Sequence, residues 1–241
     1  MKRQKKILVL FLVILCTYSH AQNNKIIYDA YVSGDMVKWK NEMISVEFRS
    51  NKTNSDKLDL LNFQHGYIAW CISREKTNEA EEYIDKSEEL IEELEKKNYN
   101  PSMLFAYKAA IVGFEISISS YKAPFIGSKS LSLAKQAVSA DPNNAFAYTQ
   151  LGNIASHAPE MFGGSKSEAL THYLKALNLM DKQNNNLNNW NYLHLLATII
   201  NTYVELEQYQ KAKYYCEKTL AVEPNFIWVK KILYPQVLKQ I

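Results

Sequence analysis

Two helical patterns in this chain are closed by the same device, Asp141-Pro142-Asn143 and Glu223-Pro224-Asn225, and each ends a unit with small residues and aromatics at matched positions. That recurrence restricts the fold more than any other feature. Proline cannot continue a helix interior, because it has no N–H and its ring clashes with the preceding turn, yet its fixed φ suits the first turn of the next helix. Aligning Phe114 with Tyr148, 34 residues on, sets Ile118 on Gly152 and Tyr121 on Ala155. From Ala147 to Ala176, Tyr148, Leu151 and Gly152 take first-helix places, and Ala169, Tyr173 and Ala176 second-helix places. In the last unit Ile199, Ile200 and Tyr203 precede Ala212, Cys216 and Thr219. Small residues let two helices approach closely, and tyrosines fill the gaps beside them. A lone helix pair cannot bury its apolar face, so such pairs must stack on one another.

The rest of the chain is punctuated in the same helical manner, and no segment reads as a strand. Residues 26–49 read as one long helix or two short ones, followed by a polar loop from Arg49 to Asp56. Leu58, Leu61, Tyr67, Ile68 and Cys71 recur at helical spacing between Lys57 and Arg74. Glu79 to Lys97 carries Ile84, Leu90, Ile91 and Leu94 on one face and a charged opposite face. Asn98-Tyr99-Asn100-Pro101 stops it, Ser102 to Tyr121 follows as a more apolar helix, and Phe125 to Ala140 as the next.

The pattern resembles the tetratricopeptide-repeat (TPR) family over about residues 57–224. The resemblance implies an all-α fold: an α-solenoid of about four TPR-like antiparallel helix pairs, with an N-terminal helical segment over 22–56 and a C-terminal capping helix over 225–241. In the first unit Gly66, Ala69 and Ala80 fit only with a small insertion. The third unit inserts residues between its helices, His157-Ala158-Pro159-Glu160-Met161-Phe162-Gly163-Gly164, after which Ser165 and Glu168 are placed for a capping box. A longer turn, Asn184 to Trp190, precedes the last unit.

Residues 1–21 have the layout of a secretory signal peptide. Lys2, Arg3, Lys5 and Lys6 precede the apolar run Ile7 to Leu15, and Ser19-His20-Ala21 offers a cut after Ala21. The competing readings are an uncleaved N-terminal anchor and a lipoprotein signal at Cys16, the latter disfavoured by bulky Leu15 before it. No later segment reaches the length of apolar residues expected of a spanning helix. The expectation is an exported bacterial-type protein, periplasmic or secreted, without stable membrane insertion after cleavage. Setting aside the four basic residues of the leader leaves 24 basic against 25 acidic residues. That balance removes the footing for a nucleic-acid partner. Cys71 and Cys216 lie in apolar helical patterns and have no metal-ligand spacing. They read as two buried thiols, or as one long-range disulfide in an oxidising compartment.

No catalytic, metal-ligand or cofactor motif is present. His65, His157, His172 and His194 form no HExxH pair, and Gly163-Gly164 lacks the Gly-Lys-Ser/Thr of a phosphate loop. The family resemblance implies instead a concave groove lined by the first helices, holding a protein or peptide segment. Carried over position by position, it selects Tyr67 and Trp70 in the first unit and Glu115, Ser119 and Lys122 in the second. It selects Asn153 and His157 in the third, and His194, Asn201 and Glu205 in the last. Two other readings stand beside this one. The first is a helical enzyme or small-ligand binder with a pocket joining His157–Gly164, Glu160, His172 and Trp190. The second is a structural subunit of a cell-envelope assembly.

Overall fold

The computed structural model describes residues 22–241, and the expected signal peptide lies outside the described residues. Among the described residues the protein is all-α, with no strand. The N-terminal segment forms two helices, α1 (residues 22–33) and α2 (Met36–Glu47), because Gly34 adopts φ +70° between them. Asp35 then caps α2, accepting from the Lys38 N–H at 2.9 Å. Helix α3 (Asn54–Ser73) starts ahead of the expected Lys57. The cause is a complete capping box: Thr53 Oγ1 accepts from the Asp56 N–H at 3.1 Å, and Asp56 Oδ2 accepts from the Thr53 N–H at 2.8 Å. Helix α4 (Thr77–Glu95) ends before Asn98 and Asn100, both left-handed, and Pro101 opens α5 (Pro101–Ile118). There follow α6 (Ala123–Ala140), α7 (Ala145–His157), α8 (Lys166–Lys182), α9 (Trp190–Glu205) and α10 (Tyr209–Val222). The chain closes with a π-helical turn, Val229–Leu233, running into α11 (Tyr234–Leu238). Pro235 has no N–H for the carbonyl one α-turn back, and the ladder widens beside it.

Helices α3 and α4, α5 and α6, α7 and α8, and α9 and α10 pack as successive pairs, each touching the next. The two proline closures share their geometry. Asp141 and Glu223 are both extended, with φ −149° and −139°. The Asn143 N–H donates to Asp141 Oδ1 at 2.9 Å, and the Asn225 N–H to Glu223 Oε1 at 3.0 Å. After the first closure, Asn144 Oδ1 caps α7 on the Ala147 N–H. Its Nδ2 donates to Ser102 Oγ at 2.8 Å, and that hydroxyl donates to the Ala137 carbonyl. One buried amide thus ties α5, α6 and α7 together.

The helix crossings show where the repeat alignment shifts. Between α7 and α8, a Cβ at Gly152 would lie 2.4 Å from the Tyr173 ring, so only glycine fits without rearrangement. Between α5 and α6, Ala109, Val112, Leu133 and Ala134 pack together, and Ser130 Oγ donates to the Ala109 carbonyl at 2.9 Å. Ile118, aligned with Gly152 in sequence, is instead the last residue of α5. Helix α5 is simply longer than α7, which displaces the crossing toward its middle. By length and hydropathy α5 is long and apolar enough to cross a membrane, contrary to the sequence expectation. Here its apolar faces meet α3, α4, α6 and α7.

Two large cores form, and α1 belongs to both. Ile27 and Ala30 join the core of α2–α5, whereas Tyr28 and Val32 join the core of α8–α10 and the C-terminal segment. Tyr28 OH donates to Glu223 Oε2 at 2.9 Å, and Tyr31 OH pairs with His194 Nδ1 at 2.9 Å. Helices α3 and α9 also meet. Asn191 Nδ2 donates to Asn62 Oδ1 at 3.1 Å, and a Cβ at Gly66 would lie 2.6 Å from Trp39 and 2.9 Å from Trp190. The long Asn184–Asn189 turn delivers Trp190 into this contact, where it packs in the N-terminal core although it opens α9.

Candidate functional site

Tyr67 and Trp70 are the two expected groove residues that share an open recess. Helix α3 places them on neighbouring faces near its C-terminal end, with rings 5.4 Å apart. The turn between α1 and α2 supplies the opposite wall. The resulting cleft, about 490 Å³, is lined by Gly34, Asp35, Met36, Val37, Lys40, Arg74 and Lys76 besides the two aromatics. Tyr67 is buried and forms the floor. Its hydroxyl donates to Glu79 Oε1 at 2.8 Å, and burial, more than that bond, pushes its ionisation far above the usual phenol range. Trp70 is half-buried, with the Lys76 ammonium 4.9 Å above its ring.

Glu79, the first-turn acid of α4, organises the charges behind the cleft. It accepts from the Lys40 and Lys76 ammoniums as well as from Tyr67. The Lys40 hydrogen bond is the largest cause holding its carboxyl down at about 2, against an opposing effect of burial. Arg74, exposed at the end of α3, has no side-chain partner among the described residues. None of Asp35, Lys40, Arg74 and Lys76 was selected from sequence. Their only signal was adjacency to a helix-pair turn, because the α2 wall lies outside the repeat pattern.

The other selected residues are distributed among separate settings. Glu115 pairs with Lys122 at 3.8 Å, and Ser119 is the C-cap of α5 between them. All three stand at the far end of α5, beyond the crossing at Ala109, for the reason of register given above. Asn153 Oδ1 accepts from Tyr173 OH at 2.9 Å, and its Nδ2 donates to Gln150 Oε1 at 3.3 Å. Its amide is therefore held within the α7–α8 pair. His157 Nδ1 lies 2.8 Å from the Asn153 carbonyl one turn back. Glu205 pairs with Lys166 at 2.8 Å, linking α9 to the start of α8. Asn201 is half-buried and makes no side-chain hydrogen bond among the described residues.

His194 is enclosed by the rings of Tyr31, Trp190 and Trp228, and burial pushes its imidazole down to about 4. His65 packs among Tyr107, Phe114, Phe146 and Trp190. Burial first, then the nearby His194, pushes it down to about 3. His65 Nδ1, Gln150 Nε2 and Trp190 Nε1 are buried without a hydrogen-bond partner in the protein.

Two residues of the second sequence reading stand in different surroundings. His172 sits beside Glu168 and the Tyr148 ring, whereas Trp190 packs on Tyr31, Trp39 and His65. Ser165 caps α8 on the Glu168 N–H, as expected of half a capping box. The reciprocal half does not form, because the Ser165 N–H donates to the Ala155 carbonyl at 2.8 Å. Among the described residues no group of three or more His, Cys, Asp or Glu is placed to hold a metal ion. Cys71 and Cys216 are free, buried and in different cores, and burial pushes them up to about 11 and about 12. No family model matches the chain, and no curated protein matches it either.

Proposed function

We propose that this is an exported TPR-type interaction module, an α-solenoid of about four helix pairs with helical additions at both ends, and that it binds a protein segment rather than transforming a substrate. The fold part of this reading draws on the successive helix pairs, the repeated proline closures and the glycine-limited crossing at Gly152. The export part rests on the signal-like layout of residues 1–21. The observation that carries the functional part is the cleft over Tyr67 and Trp70, an open recess with an aromatic floor and polar rim. Its size suits a few side chains of a bound segment. An interaction role also agrees with a near-neutral chain and with a site built on helix ends and a turn, where binding residues commonly sit on a rigid scaffold.

The test is affinity capture from the native envelope fraction, comparing the wild-type protein with Trp70→Ala and Val37→Asp. Val37 is 72% exposed, so the second change leaves the core alone. Loss of the same co-purifying protein in both variants is the expected result. Identical capture by all three proteins would remove the cleft from the binding surface. Cell fractionation with immunodetection checks export, and a purely cytoplasmic protein would overturn that part.

A further inference from the structure

We infer that the Tyr67–Trp70 cleft accepts a peptide segment in which an acidic side chain stands beside a large apolar one, the acid pairing with Arg74. This rests on the preceding reading that the cleft holds a protein segment.

Nearly every charge lining the cleft is already committed within the fold. Four lining residues are charged: Asp35, Lys40, Arg74 and Lys76. Asp35 is committed to the α2 N-terminus through the Lys38 N–H. Lys40 and Lys76 are both held by Glu79, whose carboxylate also receives the Tyr67 hydroxyl. Arg74 alone among the four has no side-chain partner among the described residues. Three lining cations face one lining carboxylate; of the acids just outside the lining, Glu79 is taken by Lys40, Lys76 and Tyr67, and Glu75 forms no ion pair with Arg74 among the described residues. An unpaired guanidinium presents a planar fork that matches a carboxylate with two parallel hydrogen bonds. Beside it, Trp70, Met36 and exposed Val37 offer apolar surface for the neighbouring side chain.

The same commitments disfavour a polyanion. Phosphate backbones are held by several cations that exchange counterions, whereas this cleft leaves one cation unpaired. A basic segment would meet Arg74 while the lining acid Asp35 and Glu79 behind it are already engaged inside the fold.

The test is selection of a random peptide library displayed on phage against the purified protein expressed from its full sequence. Enriched peptides are expected to carry Asp or Glu adjacent to Trp, Phe, Leu, Ile or Met. A labelled synthetic copy of the enriched sequence should bind Arg74→Glu at least roughly tenfold more weakly than wild type, and Arg74→Lys with an intermediate loss. Its affinity should fall as salt rises. Arg74 is exposed at a helix end, and thermal melts confirm that the variants stay folded. Enriched peptides lost on Trp70→Ala but lacking acids, or indifferent to Arg74→Glu, overturn the acidic partner while leaving the cleft in place. Peptides indifferent to Trp70→Ala, or no enrichment at all, overturn both.

Discussion

Gly152→Ala and Gly113→Ala are the same substitution in two helix interiors, and the structure gives them opposite signs. In α7, the added Cβ would stand 2.4 and 2.5 Å from two Tyr173 ring carbons, where ordinary contact begins at 3.4 Å. The ring must retreat by about an ångström. It has little freedom to do so, being 1% exposed and anchored by its hydroxyl on Asn153 at 2.9 Å. Overpacking of this kind costs about 1–3 kcal/mol. Replacing a mid-helix glycine by alanine returns up to about 1 kcal/mol. The net is a destabilisation of up to about 2 kcal/mol by the two effects together. In α5, a Cβ at Gly113 meets nothing within 4 Å, so only the propensity gain of about 0.5–1 kcal/mol remains. At about 2–4 °C per kcal/mol for a chain of this size, the two variants should melt several degrees apart, on either side of wild type. Urea midpoints at unchanged slope give an independent measure. If Gly152→Ala is as stable as Gly113→Ala, the close approach of α7 and α8 through Gly152 is wrong, and with it the reason for a small residue there.

Acid should weaken the fold through its two buried histidines. His65 and His194 are held at about 3 and about 4 by burial, whereas the unfolded chain protonates near 6.5. Their contribution is therefore complete above about pH 6.5 and lost progressively as pH falls toward the folded values. Melting temperature should drop between about pH 6.5 and 5, and His65→Phe with His194→Gln should flatten that slope. Asn144→Ala removes the α7 cap and the partner of Ser102, with an expected loss of about 1–2 kcal/mol in urea unfolding. Asn144→Asp, which keeps the acceptor and loses the donor, should fall between. Cys71 and Cys216 should resist a thiol reagent in the native protein and react only on unfolding, because both thiols are buried and raised; fast native labelling would contradict their placement.

Helix existence was legible from local chemistry, although the local Thr53–Asp56 capping box that starts α3 at Asn54 was passed over as loop. The Asn100-Pro101 start, the Asp141-Pro142-Asn143 closure and the Ser165 cap all work through a side chain and a backbone group within a few residues. The α5 crossing was not legible, because a long-range fit between Ala109 and Ala134 sets it rather than the distance between prolines. The same limit governs the site. Tyr67 and Trp70 come from one helix and could be named from its pattern, whereas Arg74's free guanidinium depends on Lys40 from α2 and Lys76 from the turn before α4 having taken Glu79. His194 was selected as a groove lining, and its partner is Tyr31, 163 residues away in the chain.

That last contact bears on where a partner can be held. Tyr31 packs against Trp39, Trp190, His194 and Phe226, drawing rings from α2, α9 and the C-terminal segment onto α1. Apolar surface of such rings left in water would cost about 25 cal/mol per Å². Helix α1 covers them with both of its faces, one in each core. The same helix then turns at Gly34 and leads into α2, so Asp35, Met36 and Val37 form the wall opposite Trp70. The N-terminal segment thus has two places in the fold: Tyr31 joins the rings of α2, α9 and the C-terminal segment, and the turn after it supplies the wall that faces Arg74.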